Sequence, residues 1–136
     1  MKMQRTFAVG LLAGLLAAVP AFGQGEDAAQ LAKIPPNVRA GAQTEFMTKK
    51  LSLTPQERTQ VEAINLKYAN QMQPVLEGSG GPLQRMREAK RIDEAKDAEL
   101  KGVLTPQQFQ GYVAAKEELR KKMMEKAAGG SAPTAP

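Results

Sequence analysis

The tetrapeptide Leu-Thr-Pro-Gln occurs twice, at 53–56 and 104–107, and both copies have the chemistry of a helix start. Thr54 and Thr105 carry hydroxyls able to accept from a backbone N–H that the first helical turn leaves without a partner. The proline after each holds the threonine in the extended region and itself suits the first helical position. Three residues after each threonine stands Glu57 or Gln108, which completes a capping box. Leu104 is placed to pack on Phe109 as a hydrophobic staple, whereas the first copy has Arg58 in that position. The likeness runs on past the motif. Counting from each leucine, positions +8, +11, +15 and +19 are Val61, Ile64, Tyr68 and Met72 in one copy, and Tyr112, Ala115, Leu119 and Met123 in the other. Two related amphipathic helices follow, each opened by the same cap.

Around these two helices the pattern predicts an all-α chain of four amphipathic helices. The first covers 38–51, with Val38, Ala42, Phe46 and Leu51 on one face and Gly41 weakening it. The second covers 55–73, striped by Val61, Ile64, Tyr68, Met72 and Val75, and Pro74 should end or kink it. Gly78-Ser79-Gly80-Gly81 reads as a loop. The third covers 82–102, with Leu83, Met86, Ala89 and Ile92 in a stripe and Ala95, Ala98 and Leu100 less regularly placed. The fourth covers 106–128, striped by Phe109, Tyr112, Val113, Lys116, Leu119 and Met123, and Gly129-Gly130 should stop it. Residues 24–37, broken by Pro35-Pro36, read as a flexible lead-in, 38–128 as one helical domain, and 129–136 as a disordered tail.

Residues 1–23 read as a signal peptide. Lys2 and Arg5 precede an uncharged stretch from Phe7 to Val19, and Ala21-Phe22-Gly23 offers small residues where a signal peptidase reads, so cleavage is expected between Gly23 and Gln24. The apolar stretch would span roughly 20 Å as a helix, short of the ~30 Å hydrocarbon core, which argues against a membrane anchor. The net charge of +5 falls to +3 when Lys2 and Arg5 leave with the leader. A charge so mild, without a dense basic patch or a known module, points away from nucleic acid and towards acidic protein segments or an anionic membrane face. The chain has no cysteine and no histidine. Disulfides, Ser-His-Asp and Cys-His catalysis and His-based zinc sites are therefore impossible, and the expectation is a non-enzyme with no cofactor and no metal.

Two Leu-Thr-x-x-Gln segments opening amphipathic helices in a small exported helical protein resemble the Spy/CpxP (LTXXQ-motif) family of periplasmic proteins. Leu104-Thr105-Pro106-Gln107-Gln108 matches that motif at every specified position, and Leu53-Thr54-Pro55-Gln56-Glu57 departs at the last, with Glu for Gln. The family motif thus falls on Leu53, Thr54, Glu57, Leu104, Thr105 and Gln108. The resemblance covers about 38–128. It implies a thin, curved helical-hairpin cradle, usually an antiparallel homodimer, that binds unfolded or partly folded client proteins without ATP. Other members of the family regulate envelope-stress sensor kinases or respond to metals, and the metal-responsive branch relies on His-rich segments absent here.

The residues also suggest where clients would bind. Flexible methionines suit a surface with many partners, and Met47 and Met124 lie beside the apolar stripes rather than on them. Between Arg85 and Arg91 four basic residues meet one acid, which makes Arg85, Arg87 and Lys90 candidates for attracting clients, against the plainer reading of a solvated helix face. The resemblance implies a periplasmic ATP-independent chaperone or, as the alternative, an adaptor docking on a sensor kinase's periplasmic domain, and the amphipathic helices add a third reading, a membrane-surface protein. Narrow, interrupted stripes disfavour the last, and no stable membrane insertion is expected.

Overall fold

The computed structural model describes residues 25–78 and 80–131, with side chains described from Ala29 to Glu118 and at Lys121. Among them are five helices and no strand: α1 (Gly25–Ala32), α2 (Pro36–Leu51), α3 (Pro55–Leu76), α4 (Pro82–Val103) and α5 (Pro106–Ser131). The fold class is all-α, as expected. Residues 1–23, read from sequence as a leader, lie outside the described residues.

Four of the helices begin on proline, at Pro36, Pro55, Pro82 and Pro106, where a missing N–H costs nothing. Only the two threonine-headed ones gain a side-chain cap. Glu57 N donates to Thr54 Oγ1 at 3.1 Å while Thr54 N donates to Glu57 Oε1 at 2.9 Å. Gln108 and Thr105 repeat both bonds at the same distances. Pro35 and Gly81, at the starts of α2 and α4, supply none.

Several boundaries differ from the sequence reading. The segment read as a flexible lead-in carries α1, tied to the body by side-chain bonds to its last carbonyls. Pro74 does not end α3, which runs on to Leu76. Proline this near a helix end removes one bond of the last turn, and Glu77 N closes that turn on Gln73 O at 3.0 Å. α5 likewise passes through Gly129-Gly130 to Ser131, since glycine weakens a helix without forbidding it.

α3 is the central element, in contact with α1, α2 and α4, while α5 touches α2 and α4. α3 and α4 run antiparallel: Lys67 reaches Glu99 at 2.6 Å near the middle, and Arg85 Nε donates to Val75 O at 3.2 Å near the connecting loop. Two apolar clusters hold them together. The first unites Met47, Leu53, Val61, Leu100, Leu104 and Tyr112, so both motif leucines share one core. The second joins Tyr68, Val75, Ala89 and Ile92, and Ile64 borders both. Gly111 lets α5 approach α2, because a Cβ there would meet Leu51 Cδ2 at 3.0 Å.

The α3 stripe faces the core, with Val61, Tyr68 and Val75 buried and Ile64 and Met72 half-buried, but α2 is rotated from its expected face. Its buried residues are Arg39, Ala40, Gln43, Thr44 and Met47, while Val38 is exposed. Hydropathy missed this face because hydrogen bonds satisfy its polar members. Thr44 Oγ1 donates to Ala40 O at 2.8 Å and accepts from Asn65 Nδ2 at 2.9 Å.

Candidate binding surface

α4 carries two faces of different chemistry. Ala89, Ile92, Lys96 and Leu100 are buried against the body, spaced as one helical face. Leu83 and Met86, read from sequence as the start of that stripe, are 61% and 50% exposed. The reason is the step length. Successive three-residue steps rotate around an α-helix by about 60° each, so a stripe of such steps winds off the contact face. The residue that keeps the buried register is Arg85, half-buried, its Nε on the Val75 carbonyl.

The outward face of the first turns of α4 therefore combines Leu83 and Met86 with Arg87 and Lys90, both exposed. The four residues follow i, i+3, i+4, i+7 spacing, one continuous strip on a helix. Of the basic run, Arg85 is committed to Val75, and Arg91 is held by Glu88 through bonds of 2.6 and 3.2 Å. Lys90 has only a loose contact with Glu94 at 3.9 Å between largely exposed groups, too weak to bind its charge. Among the expected contact residues, then, Arg87 and Lys90 face solvent and Arg85 faces inward. Met47 is corrected outright: it is 1% exposed, in the first core cluster, with Asn65 Nδ2 at 3.7 Å from its sulfur. The side chain of Met124 lies outside the described set.

A second constellation lies between α4 and α5. Lys116 Nζ donates to Asp93 at 2.9 Å and to both oxygens of Asp97 at 3.1 and 3.0 Å, and Tyr112 Oη donates to Asp97 at 2.8 Å. Asp97 thus serves α5. Burial, with Asp97 next in weight, pushes the Tyr112 phenol well up, so it stays a hydrogen-bond donor. Lys96 is 8% exposed on the buried face of the same helix. Loss of hydration lowers its ammonium to about 7, with Lys116 adding to the fall and Asp93 and Asp97 opposing it.

The third feature is where the two motifs meet. Gln108 Nε2 donates to Glu57 Oε1 at 3.1 Å, so the third-position side chains of the two capping boxes are bonded to each other. The Glu57 carboxyl is held below its ordinary range by the Thr54 N–H first and the Gln108 amide second. Glutamate in the first copy and glutamine in the second make an acceptor and a donor. The motif residues Leu53, Thr54, Glu57, Leu104, Thr105 and Gln108 therefore form one junction, which their separation in sequence conceals.

Among the described residues no helix is long and apolar enough to cross a membrane. The family described as a domain of unknown function, DUF4890, matches residues 24–112, which is more than half of the chain. The chain belongs to that family. No curated protein and no solved structure matches it.

Proposed function

We propose that this member of the DUF4890 family is a periplasmic, ATP-independent chaperone of the Spy/CpxP type, which holds unfolded or partly folded proteins against the outer face of α4. The observation that carries the reading is that face itself: Leu83 and Met86 stand exposed beside Arg87 and Lys90. Apolar side chains give grip on any unfolded segment, methionine adapts to many shapes, and basic groups raise the rate of encounter with acidic chains. The joined capping boxes support the resemblance, since they give the paired Leu-Thr-x-x-Gln motif a structural role. Export is supported by the tripartite leader and by the family match beginning at residue 24, where the leader should end. The reading extends to a homodimeric, cradle-shaped assembly, supported by the small core and by exposed Val38, Leu66 and Val113.

The test is an aggregation assay of the mature protein with two unrelated unfolding clients and no nucleotide. A chaperone suppresses aggregation of both near stoichiometric ratio. An adaptor for a sensor kinase suppresses neither, and that result would reject the proposal.

A further inference from the structure

No described side chain of α1 belongs to either core cluster, yet the helix is fastened to the body. Among the described residues, its hydrogen bonds to the body run from side chain to main chain. Arg39 Nη1 donates to Leu31 O at 2.8 Å and to Ile34 O at 3.0 Å, and Gln73 Nε2 donates to Ala32 O at 3.0 Å. Arg39 is itself nine-tenths buried and is anchored from behind, its Nη2 donating to Ala69 O at 3.0 Å. Gln73 is braced in turn by the Glu77 carboxylate at 2.9 Å. Leu31 O and Ala32 O belong to the last two residues of α1, which lack a donor four residues on. Leu31 O also accepts from Ile34 N at 3.1 Å, while Ile34 O lies in the turn before α2. Donors held on main-chain carbonyls at the end of α1 read the backbone there and not its sequence.

Above this pair, α1 is a poor permanent component. It is eight residues long, well under the length at which a helix is stable alone. It carries Glu26 and Asp27 and no basic residue. α3 also buries Leu76, a residue that belongs to neither core cluster. Short, acidic and partly apolar, α1 has the chemistry of the segments that the proposed client surface would attract.

We infer that Arg39 and Gln73 form a receptor for the C-terminal end of a short acidic helix in a client, and that α1 occupies it as an internal competitor until a client displaces it. The inference rests on the chaperone reading for the identity of the partner. The receptor itself can be tested apart from that reading. Gln30→Pro breaks α1 from within and leaves the receptor residues intact. The probe is a fluorescent peptide carrying residues 25–35 of this chain, titrated against full mature protein. Gln30→Pro should bind the peptide at least tenfold more tightly than the wild type. Adding Gln73→Leu, or separately Arg39→Lys, to Gln30→Pro should return affinity to the wild-type level. Circular dichroism melts of each variant confirm that it is folded, and Gln73→Leu alone suffices should Arg39→Lys fail to fold. Equal binding by wild type and Gln30→Pro, or tight binding that survives loss of Gln73, would overturn the receptor. Tight peptide binding by Gln30→Pro without any gain in client capture would overturn the client as the occupant of this site, and would leave the chaperone reading to the aggregation assay.

Discussion

Lys96 occupies a place on α4 where Ala89, Ile92 and Leu100 set an apolar pattern. An ammonium there gives up its hydration, and Asp93 and Asp97 are already engaged by Lys116 and Tyr112. Its folded pKa of about 7 lies below the ordinary 10.5, so the folded chain prefers the neutral amine. Because the unfolded chain then binds more protons between those two values, stability should rise as pH climbs from about 7 towards 10.5. Below about 7 both states are charged, and the full penalty applies. Lys96→Met keeps the length of the side chain and removes the charge. It should stabilise the protein by a few kcal/mol at pH 6, with the gain shrinking towards pH 10. Thermal melts of both proteins across that range check the claim, and a variant less stable at pH 6 would refute it. Met47 teaches a related lesson. It sits off the hydrophobic stripe and is nonetheless core, because the face of α2 that turns inward is largely polar and hydrogen-bonded.

At the scale of the elements, the caps are the feature sequence conveyed best. Both boxes form with the expected atoms, and Thr54→Ala or Thr105→Ala should each cost about 1 kcal/mol, read as a fall of roughly 4–8 °C in the melting midpoint. A midpoint unmoved by either substitution would show that the boxes do not hold the helices. The contact between the boxes was hidden, since nothing in a helix-start motif tells which other helix start lies beside it. That contact has its own signature. An isolated box accepts Glu as readily as Gln at its third position, so Gln108→Glu should be harmless if the boxes act separately. Bonded as they are, it sets two carboxylates against each other, and the variant should melt lower than wild type at pH 7. The deficit should shrink as pH falls, since protonating either carboxyl removes the repulsion. The α4 stripe failed at its N-terminal end for a geometric reason, with three-residue steps mistaken for one face. The burial of Lys96 was not legible either, for a lysine among charged neighbours normally marks the solvated side.

The whole molecule is built around α3, with one cluster at the joined caps and another along α4, and a modest core between them. A domain this small buries only about 60–65% of the surface of its unfolded chain, which leaves apolar surface to share with a second copy or with clients. Sedimentation of the mature protein at tens of micromolar should therefore show a dimer, and a monomer would remove dimerisation from the proposal. Raising salt should slow client capture if Arg87 and Lys90 steer encounter, while leaving the apolar grip of Leu83 and Met86 intact. The central claim is that clients are held on the outer face of α4. It is tested most directly by placing a photo-crosslinking residue at Met86 in one variant and at the exposed Glu62 of α3 in another. Each is then irradiated with an unfolding client. Labelling of the client from position 86 and little from position 62 is the predicted result. Equal labelling from both positions, or labelling from 62 with none from 86, would contradict it.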